Sequence, residues 1–393
     1  MPKTFASLPG KYQFFSYAQF YQPLKKRLVA VPPLKPGGNK PILMDFEHQL
    51  KALTFFHLEE HKSGRHLLQD LQENEFACKE IAPPQGIKKS TFFEAINHRG
   101  LDEMLYLFHQ LYADAAHALP KEHAQWGELV AIDGTLIDAV LSMYWADYNS
   151  SVKKAKAHFG FNLNQSIPAK IILTKGKAGE RPLVDQILAP GQTSVTDRGY
   201  QCCRTFDILH NAGKFFVCRI KENSQKTILN HIPFKPGGLV FQDSMIILGD
   251  PIKLHAEHAY RLVGYFVGAK KFWLLTNRFD LSAEDIAAIY KLRWNIENFF
   301  AWWKRHLKVY HLIARTQYGL MTQILAGLIT YLLLAIYCHN EFNEKVSIKR
   351  VRQLRNRIKN EASFNGNSQH SNSQHLKPDR PNNFCGCYLH AIS

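Results

Sequence analysis

Leu320 to Cys338, LMTQILAGLITYLLLAIYC, runs for 19 residues without a charged side chain, and a chain carrying such a run has few places to put it. Either it crosses a bilayer, or it forms a helix enclosed on all sides by other elements. Thr322, Gln323 and Thr330 interrupt it, and the sequence has no second stretch of the kind. The buried helix of a large soluble core is therefore the expectation, with a membrane anchor as the alternative that recovery without detergent would exclude. A length of 393 residues supplies enough interior for such a core and for two or three domains. The N-terminus, MPKTFASLPGKYQFF, lacks the apolar segment of a signal peptide. The seven cysteines, Cys78, Cys202, Cys203, Cys218, Cys338, Cys385 and Cys387, match neither a disulfide framework nor a zinc spacing. Reduced thiols and a cytoplasmic setting are expected.

Charge narrows the partner. Lys and Arg number 49 against 33 Asp and Glu, a net charge of +16. A field of that sign attracts polyanions, of which nucleic acid is the commonest in a cell, although basicity alone is shared with ribosomal and membrane-surface proteins.

The texture changes along the chain. Residues 1–44 are aromatic and Pro-rich, end in VPPLKPGGNKP, and read as an extended arm or linker. Residues 45–125 carry apolar positions at helical spacing. Within them, IKKSTFFEAINHRG reads as a short helix entered through a Thr91/Glu94 capping box, as a DNA-reading helix-turn-helix requires. From Glu128, runs such as LVAID, HFGFNL, AKIILTK, SVTD and KFFVCRI read as strands, with helices near 180–188 and 201–212. Residues 225–280 stay β-rich, and from Ser282 to about Asn360 the pattern is helical. The Asn/Ser/Gln/His-rich segment 361–393 is expected to be disordered.

Two acids stand out by position. Asp133 ends one apolar run, before Gly134, and Asp197 ends another, in TDRG. A strand tip fixes a carboxylate, the glycine leaves room for a ligand, and two such carboxylates on neighbouring strands can share a cation. A lone strand-end Asp is more often a turn former. A third acid lies in AAIYKLRWNIENFFAWWKRHLKVY. Wound as one helix at about 100° per residue, Tyr290, Arg293, Glu297, Lys304 and Lys308 fall within an arc of about 60°. Leu292, Ile296, Phe299, Phe300, Trp303 and Leu307 form the adjoining apolar face. One acid among three bases suits a phosphate track leading to a metal ligand, whereas a solvated stripe of i,i+4 ion pairs is the plain alternative.

Tyr290-x₂-Arg293-x₃-Glu297-x₆-Lys304 resembles the Y-R-E-K signature of the insertion-sequence-four family of bacterial transposases, which use a DDE carboxylate triad. Ala131-Ile-Asp133-Gly-Thr and Thr196-Asp197-Arg-Gly-Tyr200 resemble the regions of that family's two catalytic aspartates, and the similarity covers about 90–340. The resemblance implies a mixed α/β, ribonuclease-H-like core with Asp133 on its first strand, Asp197 on its fourth and Glu297 on a later helix. Domains would then be a helical DNA-binding unit at 45–125, the first part of the core at 126–224, a β-rich insertion domain at 225–280 and the helical second part at 281–360. It further implies that Asp133, Asp197 and Glu297 hold two Mg²⁺ ions about 3.5–4 Å apart, with Mn²⁺ able to substitute. Tyr290, Arg293 and Lys304 would grip phosphates, and a homodimer would pair terminal inverted repeats of double-stranded DNA and join them to target DNA. Lys308 joins the DNA contacts on helix geometry alone. Trp273, in KKFWLLTN, is the candidate for stacking on a flipped base, against the plainer reading of a core Trp on a strand. The bases of 345–359 could extend the DNA track or form a solvated helix, Lys153, Lys154 and Lys156 make a weaker case of the same kind, and His158, Asp138 and Asp147 are read as structural. A transposase-derived DNA-binding protein that no longer cuts, and a nuclease without strand transfer, remain the rival readings.

Overall fold

In a computed structural model the chain is described over residues 14–34, 41–139, 143–146, 153–250, 252–308 and 311–372, with side chains as far as 363. Asp147, the first 13 residues and the tail from 373 lie outside the described residues.

The uncharged run becomes the middle of helix α10, Gln317–Phe342. By length and hydropathy this helix could cross a membrane, yet its apolar window is 94% buried within the chain. Helices α1 (Phe15–Leu28), α2 (Phe46–Leu58), α4 (Lys89–His98) and α5 (Leu101–Ala118) all lie against it. Its polar groups are answered internally. The Thr322 and Thr330 hydroxyls donate to carbonyls one turn back, Tyr318 (3.0 Å) and Ala326 (2.7 Å). Gln323 accepts from the Ile313 amide (2.9 Å) and donates to the His311 carbonyl (2.9 Å), fixing the loop that enters α10.

Three expectations for the N-terminal third are corrected. Residues 15–28 are not an extended arm but α1, because Phe14, Tyr17, Phe20, Tyr21 and Leu24 recur every three or four residues and bury one face. That face outweighs Pro23 inside the helix, whose lost backbone bond and ring clash cost about 3 kcal/mol. Segment 45–125 has no core of its own: one apolar cluster runs from Phe14 through α10 to Ile358. A helix that is apolar all round can be enclosed only if its neighbours surrender their own apolar faces to it. The Thr91/Glu94 capping box is also absent. Helix α4 begins two residues earlier, at Lys89, with Lys88 as an uncapped N-cap, and Glu94 pairs with Arg99 (2.7 Å).

This shell, which also holds α3 (Gly64–Glu73) beside α2, packs through α5 and α10 against a ten-stranded sheet in the order β3-β2-β1-β4-β5-β10-β9-β7-β6, with β8 paired to β7. Strands β1 (Leu129–Asp138), β2 (Lys154–Asn162) and β3 (Ile167–Lys175) form an antiparallel meander, while β4 (Thr193–Thr196) and β5 (Phe215–Ile220) add in parallel to β1. Helices α6 (Leu183–Ile187) and α7 (Cys203–Asn211) make the crossovers between them. Segment 225–280 supplies β6 (Lys226–His231), β7 (Val240–Asp250), β8 (Leu254–His255), β9 (Tyr260–Val267) and β10 (Lys270–Thr276). The segment is β-rich as expected, and its strands continue the sheet of the core. Strand β10 pairs antiparallel with β5, Trp273 opposite Ile220, so the segment covers what would otherwise be an open edge and prolongs the sheet.

Alternation along β1 sorts the two faces. Val130 and Ile132 join the cluster under α6 and α7, whereas Leu129 and Ala131 join the cluster under α9 and α10. Helices α8 (Ala283–Lys291) and α9 (Trp294–His306) cover that second face, with Phe299, Phe300 and Trp303 closing around Phe159 of β2 at ring separations of 5.8, 5.2 and 5.2 Å. The last helix, α11 (Ile348–Asn372), runs twelve residues past the expected end of helix near Asn360, into the segment expected to be disordered. Once a helix is nucleated each further residue adds one bond, so a polar stretch can continue it. The basic residues of α11 turn partly inward: Arg355 bonds Glu60 (2.7 Å), Lys359 pairs with Glu59 (3.2 Å) and Arg350 bonds Glu344 (2.8 Å).

Candidate active site

Asp133 and Asp197 meet through strand register. In the parallel pair β1–β4, Ala131 lies opposite Val195, so the two aspartates, each two residues further on, stand at one height on adjacent strands about 4.8 Å apart. Both follow residues of the α9-side cluster by two, which turns both toward that helix. Asp133 is not at a strand tip, however. Strand β1 continues to Asp138 because β2 keeps pairing with it, and only β4 stops here. Nor does Gly134 leave room for a ligand. A Cβ there would lie 2.8 Å from Glu180 Oε1, 3.0 Å from Lys156 Cε and 3.3 Å from His158 Nδ1.

The carboxylates are electrostatically crowded. Burial pushes Asp133 up to about 6, its hydrogen bond from the Gly134 amide pulls back, and the charges of Asp197 and Glu180 push further. Asp197 caps the turn that follows β4, accepting from the Gly199 amide at 2.8 Å. Arg181 donates to the Gly199 carbonyl (3.0 Å), which ties the Glu180 loop to that turn. Glu180 itself is paired with Lys156.

The third acid is nearby and engaged. The helix of residues 287–310 is in fact two helices, broken at Leu292 and Arg293 between α8 and α9. From that break Arg293 reaches Glu297, Nη2 to Oε1 at 2.7 Å. Burial lowers the Arg293 pKa, but the Glu297 bond and the charges of Tyr290, Glu297 and Asp133 outweigh it and hold the group above its ordinary value. Arg293 thus acts on two of the acids, bonding Glu297 and pulling the Asp133 pKa down by its charge. A divalent cation would offset the burial and the neighbouring negative charges that raise Asp133, and carboxylates are the donors it prefers. Among the described residues, though, no three acids, histidines or cysteines are grouped closely enough to coordinate one ion. The donor set fits a cation through Asp133 and Asp197, and Glu297 completes it only by leaving Arg293.

The surrounding residues divide. Lys304 lies on the site's side of α9, where its Nζ donates to the Leu136 carbonyl of β1 (3.0 Å) and burial lowers its pKa. Tyr290 is only 7% exposed and sits in the core, its pKa raised by burial. Lys308 is not on the stripe: α9 ends at His306, Lys308 has left-handed backbone (φ 50°), and its ammonium lies 3.8 Å from Glu60 of the N-terminal shell. Trp273 is half-buried against Phe241 (5.0 Å, edge-on), beneath Lys226 (5.5 Å). With Arg198, Arg219, Lys221 and Lys271 it lines a 510 Å³ cavity that begins at the residue after Asp197. Lys154 pairs with Asp138 at 3.1 Å, and His158 bonds Thr174 (2.8 Å). Glu180, Arg198 and Arg219 escape a reading of the sequence because each sits alone, without periodicity, in a turn or a strand.

Two adjacent strand carboxylates, a helical third and the arginine bonded to it make this a candidate divalent-cation carboxylate site on a mixed α/β sheet. The chain belongs to the transposase DDE domain family, whose model matches residues 127–333, more than half of its length and all three acids. It is 29% identical over 216 residues to a protein described as a probable transposase for insertion sequence element IS5377 from Geobacillus stearothermophilus, a match covering 54% of this chain and 57% of that protein. A putative transposase, y4zB, from Sinorhizobium fredii is 29% identical over 216 residues, covering 52% and 59%. A putative transposase for insertion sequence element IS4SA from Synechocystis is 27% identical over 215 residues, covering 53% and 60%. The chain therefore spans somewhat over half the length of these relatives. A cryo-EM structure titled as a piggyBac transposase synaptic complex with hairpin DNA overlaps 94% of this chain and 86% of that one at 12% identity, with a TM-score of 0.43, too loose a likeness to bear on the fold.

Proposed function

We propose that this chain is the DNA transposase of an insertion sequence, of the insertion-sequence-four family with its Y-R-E-K signature, working in the cytoplasm as a homodimer on double-stranded DNA. The observation that carries the reading is the Ala131–Val195 register, which sets Asp133 beside Asp197 on the face covered by the helix of Glu297. The strand order 3-2-1-4-5 with its last two strands parallel supports a ribonuclease-H-like core. Mg²⁺ ions, or Mn²⁺ in their place, would supply an activated water or 3′-hydroxyl and a stabilised leaving oxygen.

The chain's own residues do the rest. Asp133 and Asp197 present two fixed oxygen donors. Glu297 turns from Arg293 to join them, which frees the guanidinium to bind a phosphate oxygen at the scissile position. Lys304 adds a partly desolvated charge on the same side of α9. The basic cavity floored by Trp273 is placed to take the backbone, or an unstacked base, just past the cut. Repeating one phosphoryl transfer would nick the terminal inverted repeat, free it and join its 3′-hydroxyl to target DNA.

The test is Mg²⁺-dependent nicking and joining of a duplex bearing the element's end. Asp133→Asn and Glu297→Ala should each lower the rate by at least about 10³-fold while DNA binding persists. Binding without cutting by the wild type would mark a transposase-derived DNA-binding protein. Cutting indifferent to sequence and without joining would mark a nuclease. Either result overturns the proposal.

A further inference from the structure

The two strand aspartates are supported in the same way. Each carboxylate spends Oδ1 on the amide of a nearby glycine: Asp133 accepts from Gly134 (2.8 Å) and Asp197 from Gly199 (2.8 Å). A charge-assisted bond of that length fixes the plane of a carboxylate and keeps its second oxygen for a ligand. The direction in which each carboxylate faces is therefore set by the peptide of its glycine.

Both glycines are held by adjacent residues of one loop, 176–182, which joins β3 to α6. Arg181 Nε donates to the Gly199 carbonyl at 3.0 Å, so Gly199 is gripped at its carbonyl while its amide holds Asp197. Glu180 lies on Gly134: a Cβ there would stand 2.8 Å from Glu180 Oε1, closer than van der Waals contact. Successive residues of a strand face opposite sides, so Glu180 presses on β1 from behind the Asp133 carboxylate. Its ion pair with Lys156 keeps it there, the two side chains being 24% and 18% exposed. The loop is itself anchored. The carbonyls of Glu180 and Arg181 accept the Leu183 and Val184 amides (3.0 and 3.3 Å) that open α6, and α6 packs on β2 and β3. Among the described residues neither side chain bonds an aspartate directly, which leaves the glycines as the route from the loop to the site.

We propose that Glu180 and Arg181 are positioning residues for the cation site, setting the directions of Asp133 and Asp197 through Gly134 and Gly199. One short loop thereby keeps oxygen donors from two neighbouring strands aimed at the same cation. Side chains that orient metal ligands change metal affinity by about 10- to 100-fold when replaced. The inference rests on the reading of Asp133 and Asp197 as a cation-binding pair, and the experiment separates the two.

The test titrates the full chain with Mn²⁺, reading the free ion by electron paramagnetic resonance, and measures the salt slope of duplex binding alongside. Arg181→Ala should weaken Mn²⁺ by about tenfold or more and leave the salt slope unchanged. Arg181→Gln, which keeps a donor for the Gly199 carbonyl without the charge, should recover most of that affinity. Glu180→Ala should weaken Mn²⁺ to a similar degree, and Glu180→Gln, which keeps the shape over Gly134, should recover it. Should Glu180→Ala unfold, the Arg181 variants decide, since that side chain is exposed. Asp133→Asn checks the underlying reading: if it binds Mn²⁺ as the wild type does, that reading and this proposal fall together. If Asp133→Asn loses the ion but the loop variants bind it as tightly as the wild type, this proposal alone is overturned. A salt slope lowered by about one unit in Arg181→Ala with Mn²⁺ affinity kept also overturns it, because Arg181 would then be a phosphate contact. So does a loss in Glu180→Gln equal to that in Glu180→Ala, which would make Glu180 a charge acting at a distance.

Discussion

Replacing Asp133 with Asn removes one charge from a crowded place, and the size of the effect follows from the site. Asp133 is held at about 6 against an ordinary 3.8. That difference of about two units, at 1.36 kcal/mol per unit, is about 3 kcal/mol held against the fold while the carboxylate is ionised and no cation is present. Asp133 keeps some contact with water, which trims the figure to about 1–2 kcal/mol. The sign is set by the direction of the shift. The folded chain favours the protonated acid, so the penalty is full above about pH 6, shrinks as pH falls through that value, and is gone below about 3.8, where the unfolded chain is protonated too. Asn has nearly the same shape and keeps an oxygen for the Gly134 amide, now 2.8 Å from Asp133. In chelator near neutral pH, Asp133→Asn should therefore melt higher than the wild type by roughly 1–3 °C, and the gap should close by about pH 4. Scanning calorimetry across that pH range is the assay. Excess Mg²⁺ at neutral pH should narrow or reverse the order, because a cation that binds the wild-type pair stabilises only the wild type. A variant less stable than the wild type in chelator, or a gap that survives at about pH 4, would refute the account of crowding at this site.

Three further outcomes are expected. Lys304→Ala should weaken binding of end DNA and reduce its salt slope by about one unit, whereas Lys308→Ala, at a residue beside Glu60, should leave the slope unchanged; equal effects from the two would place Lys308 back on the DNA face. Gln323→Leu strips the Ile313 amide and His311 carbonyl of their partners and should cost about 2–4 kcal/mol in denaturant titrations, and a loss under about 1 kcal/mol would mean that water replaces both bonds. Trp273→Ala should lower affinity for single-stranded or end-frayed DNA by about 1–3 kcal/mol with little change for intact duplex, and a uniform loss on both would make Trp273 a packing residue only.

What could be read from the chain was whatever is local and periodic. The buried helix at 320–338 announces itself by lacking charge, the strands of Asp133 and Asp197 by short apolar runs, and the apolar face of α9 by its spacing. What could not be read was pairing between distant segments. The Ala131–Val195 register that aligns the aspartates joins residues 64 positions apart, and no local pattern encodes it. The same holds for β10 on β5, which makes one sheet of what reads as two domains. The break at Leu292 and Arg293 is hidden because apolar residues keep helical spacing across it. Helix α1 is masked by Pro23, although its aromatic spacing was there to be weighed. Glu180 is the hardest case: it reaches Asp133 only because the loop before α6 folds back over Gly134.

These features together limit how the site can be completed. Helix α9 is not free to swing toward the aspartates. Its Phe299, Phe300 and Trp303 are locked around Phe159, and Phe299 also meets Phe161 at 4.9 Å. Moving them would open voids in a close-packed interior at several kcal/mol. Lys304, bonded to Leu136, is a second tether between the same helix and β1. What remains mobile is the Glu297 side chain, about one-third exposed, and its bond to Arg293. The pair is part-buried, with the Arg293 side chain 14% and the Glu297 side chain 34% exposed, so parting it costs more than parting an exposed pair and requires a new partner for each charge. Arg293 then serves two states with one charge. Without ligands it neutralises Glu297 and eases Asp133; in the proposed reaction it would pass to a phosphate as the carboxylates turn to a metal. In the proposed reaction the backbone would be preorganised, and assembly of the site would reduce to one side-chain exchange on a fixed helix.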